Sequence, residues 1–561
     1  MFMEMSPEAV INHKNRTANR YKTKLPDNDK LIYLLLVLSM LFVIIARIHL
    51  LSFPFERDEG EYAYMGKMIL DGHPPYSLAY NMKLPGTYYM YALIMKVFGR
   101  SVAGVHMGLT LVIVASMFLL FLISKTFISK TGALISATTF GILGTSWTLL
   151  AQVAHATHFV SFFALCGIYV LLQLFRSEQN KTFKYILAGG LLSMAFICKQ
   201  SGIFFLFFGV TLILVKELNK RPFIKLTGSL TFFLAGFLIP VLTMMLYLYF
   251  FSDFSNFWFW TVTYLFKYGN QVPVSDALPM FKMSVGTITA NYTSAGYVAL
   301  WIVSLLGLIL VPISKSWIQH RILFFSFFFF SFLTILPGFY FRPHYFITLL
   351  PAVALSIAAF FEIITHCIAG KIKLPYSTII GFLLFLLLIG TGVRANTNYL
   401  FKQNPETSCK QIYGSNPFAE SVEIAEFLKK HTNAEDKIAV LGSEPQIYFY
   451  ADRYAATGYL YTYGLMESHD YALLMQQEMI KEIEQNKPAF LLYINIGTSW
   501  LRGPNSNGFI FNWTNEYINK NYRLAGICEI FPDSIASLKV YEQLNNFKPQ
   551  SQELIYLFEK K

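Results

Sequence analysis

Charge is what this sequence has least of. Only 14% of its 561 residues are Asp, Glu, Lys or Arg, where a soluble globular chain carries about 25%. Asp and Glu thin out after the first hundred residues and return in strength only beyond about Cys409, which marks a boundary between two solvents and excludes one soluble domain. Cysteine is scarce as well: Cys166, Cys198, Cys367, Cys409 and Cys528 show none of the paired spacing of a zinc or redox motif. Only Cys409 and Cys528 lie in the polar last third, where an oxidising compartment would leave a disulfide open to them. A glycine-rich phosphate loop, a Ser-His-Asp pattern, an internal repeat and a low-complexity tract are all missing. The net charge of +12 does not point to nucleic acid, because Lys and Arg sit in short groups between apolar runs and not on one soluble face.

What is abundant is apolar and aromatic surface, 55% and 17% of the chain. A helix needs about 20 apolar residues to cross the hydrocarbon core. Such runs occur near 31–52, 103–124, 131–150, 159–175, 185–198, 202–215, 226–250, 294–313, 322–339, 344–365 and 375–393, predicting about eleven spans. The polar stretch Met1–Lys30 is too long for a cleaved leader, so the first span is expected to remain as an anchor. The run 85–99 is too short for a span. Its Pro85 and Gly99 punctuation and its Tyr88, Tyr89, Tyr91 and Lys96 predict a helix lying on the membrane surface.

With that run left out, the loops fall into two classes. Lys14, Arg16, Arg20, Lys22 and Lys24, then Lys125 and Lys130, Arg176, Lys181 and Lys184, Lys216, Lys220, Arg221 and Lys225, Lys315 and Arg321, and Lys371 and Lys373 all fall on one side. The positive-inside rule makes that side cytoplasmic. The expected arrangement is a multi-pass protein of the plasma (inner) membrane with a cytoplasmic segment 1–30 and a membrane domain 31–393 whose first outer loop is 53–102. A soluble extracytoplasmic domain follows at 394–561. That domain reads as small and α/β, with helices near 417–431, 469–484 and 509–520 and strands near 437–442, 489–494, 525–531 and 535–541.

The first outer loop, FERDEGEYAYMGKMILDGHPPYSLAYNMKLPGTYYMY, crowds acidic, basic and aromatic residues just after a span. If 58–71 is a short helix, Asp58, Glu61 and Tyr62 share one face and Glu59 points elsewhere. Further polar residues fall on the same side of the membrane: His155, Thr157 and His158, Lys199 and Gln200, and Arg342 with His344. Ionisable groups cost about 2.5–3.5 kcal/mol inside a bilayer on insertion scales, which favours a functional reading. Each also has a plainer one. Lys199 suits a hairpin turn, the histidines an interface, Arg342 a span end, and Trp258, Trp260 and Tyr264 an aromatic belt as readily as a sugar platform.

A carboxylate beside cations at the membrane surface suits transfer from a lipid-linked phosphate, with the cations meeting phosphate charge and the carboxylate taking a hydroxyl proton. The residues also carry a resemblance. Asp58-Glu59 after the first span, KLPGTYY (Lys83 to Tyr89) before a helix ending in VFG, HFV opening the fourth span, ICKQSG around Lys199 and RPHYFITLLP from Arg342 all match one family. Over roughly 31–393 the chain resembles GT-C glycosyltransferases of the family 39 type, which include protein O-mannosyltransferases and the aminoarabinose transferase of lipid A. The resemblance implies a catalytic Asp58 supported by Glu59, and a donor phosphate at Lys83. Two departures stand out. Related chains often carry an acidic residue just before HFV, where this one has QVAHATHFV. The position after Gly60 is Glu61, where the lipid A enzymes have a basic residue.

The fold class expected is therefore an α-helical GT-C-like membrane bundle with a C-terminal α/β domain. The expected activity is an inverting transfer of a sugar from a polyprenyl-phosphate donor to a hydroxyl of a lipid, glycan or protein in the cell envelope. The candidate residues are Asp58 and Glu59 for catalysis and Lys83, Tyr88, His155, His158, Lys199, Gln200, Arg342, His344 and Tyr345 for binding. No cofactor is called for, and histidine counts alone leave a divalent metal open. The competing expectations are a transporter of lipid-linked sugar, which needs a polar cluster near mid-membrane, and a non-catalytic scaffold.

Overall fold

The structure, a computed structural model, describes residues 29–177, 179–218, 223–289 and 295–561. The basic N-terminal group, with Lys220 and Arg221, lies outside them. Among the described residues eight helices are long and apolar enough to cross a membrane: Asp29–His49, Val102–Ser124, Ala156–Gln173, Lys181–Cys198, Gln200–Glu217, Leu226–Phe251, Pro343–Ala369 and Leu374–Ala395. The three other apolar runs hold the shorter helices Lys130–Leu143, Tyr297–Leu310 and Arg321–Leu333. At 1.5 Å per residue these reach only about 20 Å of a roughly 30 Å hydrocarbon core. Short 3₁₀ turns at Trp147–Leu149 and Pro337–Phe339 continue two of those paths.

The bundle is a multi-pass membrane domain. On its first helix Leu34, Leu38, Leu41, Ile45 and Ile48 form a stripe at helical spacing, each 46–58% exposed. Apolar surface of that extent is tolerable against lipid and not against water. The helix expected over 85–99 is present as Gly86–Phe98. Its Tyr88 and Tyr91 are fully buried against protein, while Tyr89, Leu93 and Val97 form an outward apolar stripe.

The C-terminal domain is a five-stranded sheet of β1 (Ile438–Leu441), β2 (Phe490–Asn495), β3 (Tyr522–Glu529), β4 (Lys539–Val540) and β5 (Leu554–Lys560), in the order β1-β2-β5-β3-β4. Only β1 and β2 run parallel; β5 pairs antiparallel with β2 and β3. The C-terminal strand β5 is thus central, and its apolar-rich LIYLFEK had no place in the sequence reading because a long polar stretch precedes it. The expected closing strand over 535–541 shrinks to two residues, and the three expected helices appear as Glu420–Lys430, Ala472–Asn486 and Phe509–Asn521. Cys409 and Cys528 are free, buried thiols, so the disulfide left open to them is not formed.

This domain does not hang free. The Arg57–Leu70 helix lies between it and the bundle, and Gly60 allows the approach: a Cβ there would stand 2.5 Å from the backbone nitrogen of Gln446. Arg57 donates to the Glu444 carboxylate and the Ser443 carbonyl, both at 2.5 Å. Tyr450 accepts from the Phe55 amide at 2.7 Å, and Tyr64 from the Ala455 amide at 2.8 Å.

Candidate active site

The Arg57–Leu70 helix is the scaffold of the site. Its first amides are met by the Glu56 side chain, which accepts from the Glu59 N–H at 3.0 Å, and Asp58 and Glu59 in the first turn suit the positive end of the helix dipole. Three residues of spacing then put Asp58 and Glu61 on one face. Lys83 bridges them, donating to Asp58 Oδ1 at 2.8 Å and Glu61 Oε2 at 2.7 Å, with its ammonium 4.5 Å from the centre of the Tyr62 ring. Tyr88 donates to the other Glu61 oxygen at 2.7 Å, which places Tyr88 beneath this cluster as a support.

Lys83 is held where it is by the next helix. Gly86 sits so close to the end of the Lys181–Cys198 helix that a Cβ would be 2.6 Å from the Ile197 carbonyl carbon, and Thr87 donates to the Cys198 carbonyl at 2.9 Å. That contact couples the Lys83 loop to the turn carrying Lys199. Gln200 adds a hydrogen bond to the Met82 carbonyl at 2.8 Å, and the Lys199 ammonium lies 3.6 Å from the centre of the Tyr345 ring. Arg342 leaves a turn in which Gly338, Phe339 and Phe341 all have positive φ, an uncommon conformation for phenylalanine. Its guanidinium stands over Tyr340 at 5.7 Å.

These groups surround one cavity of about 720 Å³ at the end of the bundle that bears the C-terminal domain. Asp58, Lys83, His155, Lys199, Gln200, Arg342, His344 and Tyr345 all line it, as do Trp260 and Tyr264. Trp258, half exposed, does not. Nor do Glu59, Tyr88 and His158. Glu59 points away, as the helical phase required. It is fully buried, accepting from the Ala154 amide at 2.5 Å and lying 3.1 Å from His106 Nε2. It therefore supports the loop that presents His155 and faces no substrate. His158 is buried in the Ala156–Gln173 helix.

The sequence reading missed what the C-terminal domain contributes. The segment GYLYTYG turns Leu460 and Thr462 into its own domain, both fully buried, while Tyr459, Tyr461 and Tyr463 line the cavity. Tyr461 donates to Asp58 Oδ1 at 2.8 Å. Period-two alternation of tyrosines was the available signal. Arg47 was also missed: it is buried and donates to the Gly144, Ala151 and Gln152 carbonyls, fixing the turn before His155.

Electrostatically the two carboxylates differ. Burial pushes the Asp58 carboxyl up, but the Lys83 ammonium, through its charge and its hydrogen bond, opposes this most strongly, and Asp58 is held well below the usual carboxylate range. Burial prevails at Glu61, which is raised despite Lys83. Burial lowers His155 to about 3, keeping its imidazole neutral, and lowers Lys199, in the turn between two spans, to about 7. Arg342 is raised: burial opposes its charge, and Tyr268, Tyr345, Tyr463 and Asp58 overcome it. The arrangement offers an ionised carboxylate, a set of cations suited to a phosphate, and an aromatic wall. Asp58, His155 and His344 also bring three potential metal-ligand atoms within 4.8 Å of one another.

Residues 82–247 match the family model for dolichyl-phosphate-mannose-protein mannosyltransferases. No curated protein matches the sequence. Among solved structures, ArnT from Cupriavidus metallidurans bound to undecaprenyl phosphate is similar with a TM-score of 0.56 at 11% identity, over 93% of this chain and 100% of that one. The Archaeoglobus fulgidus oligosaccharyltransferase tethered with an acceptor peptide gives 0.55 at 10% identity, over 92% and 75%. The same archaeal enzyme, AglB, in complex with an inhibitory peptide and a dolichol-phosphate gives 0.50 at 10% identity, over 94% and 76%.

Proposed function

We propose that this chain, built on the GT-C fold, is an integral membrane glycosyltransferase that moves a sugar from a polyprenyl-phosphate donor to an acceptor hydroxyl on the extracytoplasmic face. The observation that carries the reading is the joint placement of Asp58 with Lys83, Lys199 and Arg342 on one cavity. In the reaction the acceptor oxygen attacks the anomeric carbon from the face opposite the phosphate, so the configuration inverts. The acceptor proton passes to Asp58, and the bond from the anomeric carbon to the phosphate oxygen breaks. Lys199 and Arg342 meet the charge on the departing lipid phosphate, and Lys83 fixes Asp58. General-base assistance is worth about 100- to 10,000-fold.

Two fold neighbours were solved with undecaprenyl phosphate and dolichol-phosphate, which supports a lipid phosphate as the carrier of the donated sugar. A lipid, a glycan or a protein each suits the cavity as acceptor. A scaffold without activity leaves the gathering of these cations on the cavity that Asp58 lines without a purpose, and a transporter calls for a polar cluster at mid-membrane, whereas this one sits at the end of the bundle. Asp58→Asn is the test: in purified protein it abolishes transfer of labelled sugar from a polyprenyl-phosphate donor while donor binding and the thermal melt stay near wild type. Full turnover by the folded variant would remove Asp58 from the mechanism.

A further inference from the structure

We propose that Glu61 is a positioning residue that keeps Lys83 on Asp58 and off the donor phosphate, leaving the lipid phosphate to Lys199 and Arg342. The inference deepens the proposed function and rests on it for the identity of the donor. Glu61 itself touches no substrate: it is fully buried and does not line the cavity, whereas Lys83 does. It acts through the side chain it holds.

Both Glu61 oxygens are engaged. Oε1 accepts from the Tyr88 hydroxyl and Oε2 from Lys83, each at 2.7 Å. Tyr88 is fully buried in the Gly86–Phe98 helix, so the carboxylate has a fixed backing. A lysine ammonium has three N–H donors. Asp58 Oδ1 takes one at 2.8 Å and Glu61 Oε2 takes a second. The rings of Tyr62 and Tyr461, centred 4.5 and 5.3 Å from the nitrogen, crowd what is left of its surface. Charge works in the same direction. One ammonium between two carboxylates leaves an excess of negative charge, which repels a phosphate brought to that spot. Without Glu61, Lys83 and Asp58 would cancel, and two donors in place of one could turn to a phosphate oxygen.

Lys199 and Arg342 are placed differently. Neither side chain has a hydrogen bond or an ion pair among the described residues, and each stands over an aromatic ring, Lys199 3.6 Å from the centre of Tyr345 and Arg342 5.7 Å from that of Tyr340. Their donors are open to the cavity that both line. The resemblance in sequence implies a donor phosphate at Lys83, and the second carboxylate gives that lysine another task. The division has a kinetic consequence. A third cation on the phosphate would tighten the bound donor before reaction, and binding of that kind does not speed the chemical step. Lys83 held on Asp58 orients the base and adds nothing to the resting complex.

The test measures calorimetric binding of undecaprenyl phosphate to the full-length protein in detergent, without sugar or acceptor, and turnover separately. Glu61→Gln keeps the side-chain shape and is checked for a wild-type melt. It is expected to bind undecaprenyl phosphate about tenfold more tightly and to turn over about tenfold more slowly, whereas a merely loosened site weakens both. The double variant Lys83→Met/Glu61→Gln restores the net charge of the cluster. Its affinity is expected within about twofold of wild type, while Lys199→Met and Arg342→Met each weaken binding about tenfold or more. If Glu61→Gln fails to fold, the structure of the wild type with undecaprenyl phosphate serves in its place, with the phosphate expected on Lys199 and Arg342 and Lys83 still on both carboxylates. Unchanged or weaker binding by folded Glu61→Gln, a double variant as weak as Lys199→Met, or a phosphate oxygen hydrogen-bonded to Lys83 overturns the role of Glu61 and leaves the proposed function standing. A wild type that does not bind undecaprenyl phosphate overturns the donor reading, and this inference with it.

Discussion

Tyr461 donates a hydrogen bond to Asp58 Oδ1 at 2.8 Å across 403 residues of sequence, joining a loop of the C-terminal domain to the carboxylate at the head of the first-loop helix. The Asp58 carboxylate is therefore shared property: the membrane domain supplies it and the other domain orients it. Tyr461→Phe keeps the ring that the Lys83 ammonium faces at 5.3 Å and removes only the hydroxyl. A hydrogen bond to a charged group is worth about 1.5–3 kcal/mol, so turnover is expected to fall about 10- to 100-fold with the melt little changed. Wild-type turnover in that variant would reduce Tyr461 to packing.

Helical phase made Asp58, Glu61 and Tyr62 legible as one face before any coordinates, because positions three and four apart on a helix must be neighbours. The spans were legible for the same kind of reason, a simple length requirement. Tyr461 was not. Nothing local in GYLYTYG indicates which carboxylate it will meet, since that depends on how two domains dock. The lining role of Lys199 and Arg342 was legible from cost, since a buried cation needs a purpose. Glu59 shows the limit of motif reading, because the residue next to Asp58 in sequence lies about 100° round the helix from it.

Glu59 therefore separates catalysis from support. Both oxygens are buried, one bound to the Ala154 amide and His106 and the other without a partner among the described residues. Glu59→Gln preserves the shape and an oxygen acceptor for Ala154, and is expected to keep transfer within about tenfold of wild type, a loss of about 1.4 kcal/mol at most. Glu59→Ala leaves the Ala154 amide and the Nε2 of His106 unpaired in the interior and should cost about 1–3 kcal/mol of stability for each group left unsatisfied. Equal loss of turnover in a folded Glu59→Gln and in Asp58→Asn would argue for a chemical role after all.

Lys199 gives the site a pH dependence. Burial lowers its ammonium from the ordinary 10.5 to about 7, so above that pH the empty protein carries a neutral amine facing the cavity. An arriving phosphate favours the charged form, so binding at pH 8 must take up a proton. Calorimetry of undecaprenyl phosphate binding in buffers of different ionisation enthalpy should show that uptake, with affinity weakening as pH rises from about 7 to 9. Lys199→Met removes both. The stability effect has the opposite direction. Between about 7 and 10.5 the unfolded chain holds the proton that the folded chain has lost, so this group makes folding more favourable as pH rises through that window.

Gly60 tests whether the two domains work as one body. No other residue type lets the first-loop helix approach the Gln446 backbone this closely, since even an alanine Cβ would meet its nitrogen at 2.5 Å and its Cα at 2.7 Å. Backbone cannot step aside as a flexible side chain can, so Gly60→Val must push the domains apart at the contact where Arg57 meets Glu444. Overpacking of this kind costs about 1–3 kcal/mol. The displacement also draws Tyr461 away from Asp58. The expected outcome is a protein that still inserts and binds lipid phosphate through Lys199 and Arg342, but turns over at the level of Tyr461→Phe or below. Protease sites between the last span and the C-terminal domain, near 396–404, should be cut faster. An unchanged digestion pattern together with unchanged turnover would mean that the helix and the C-terminal domain do not depend on this contact.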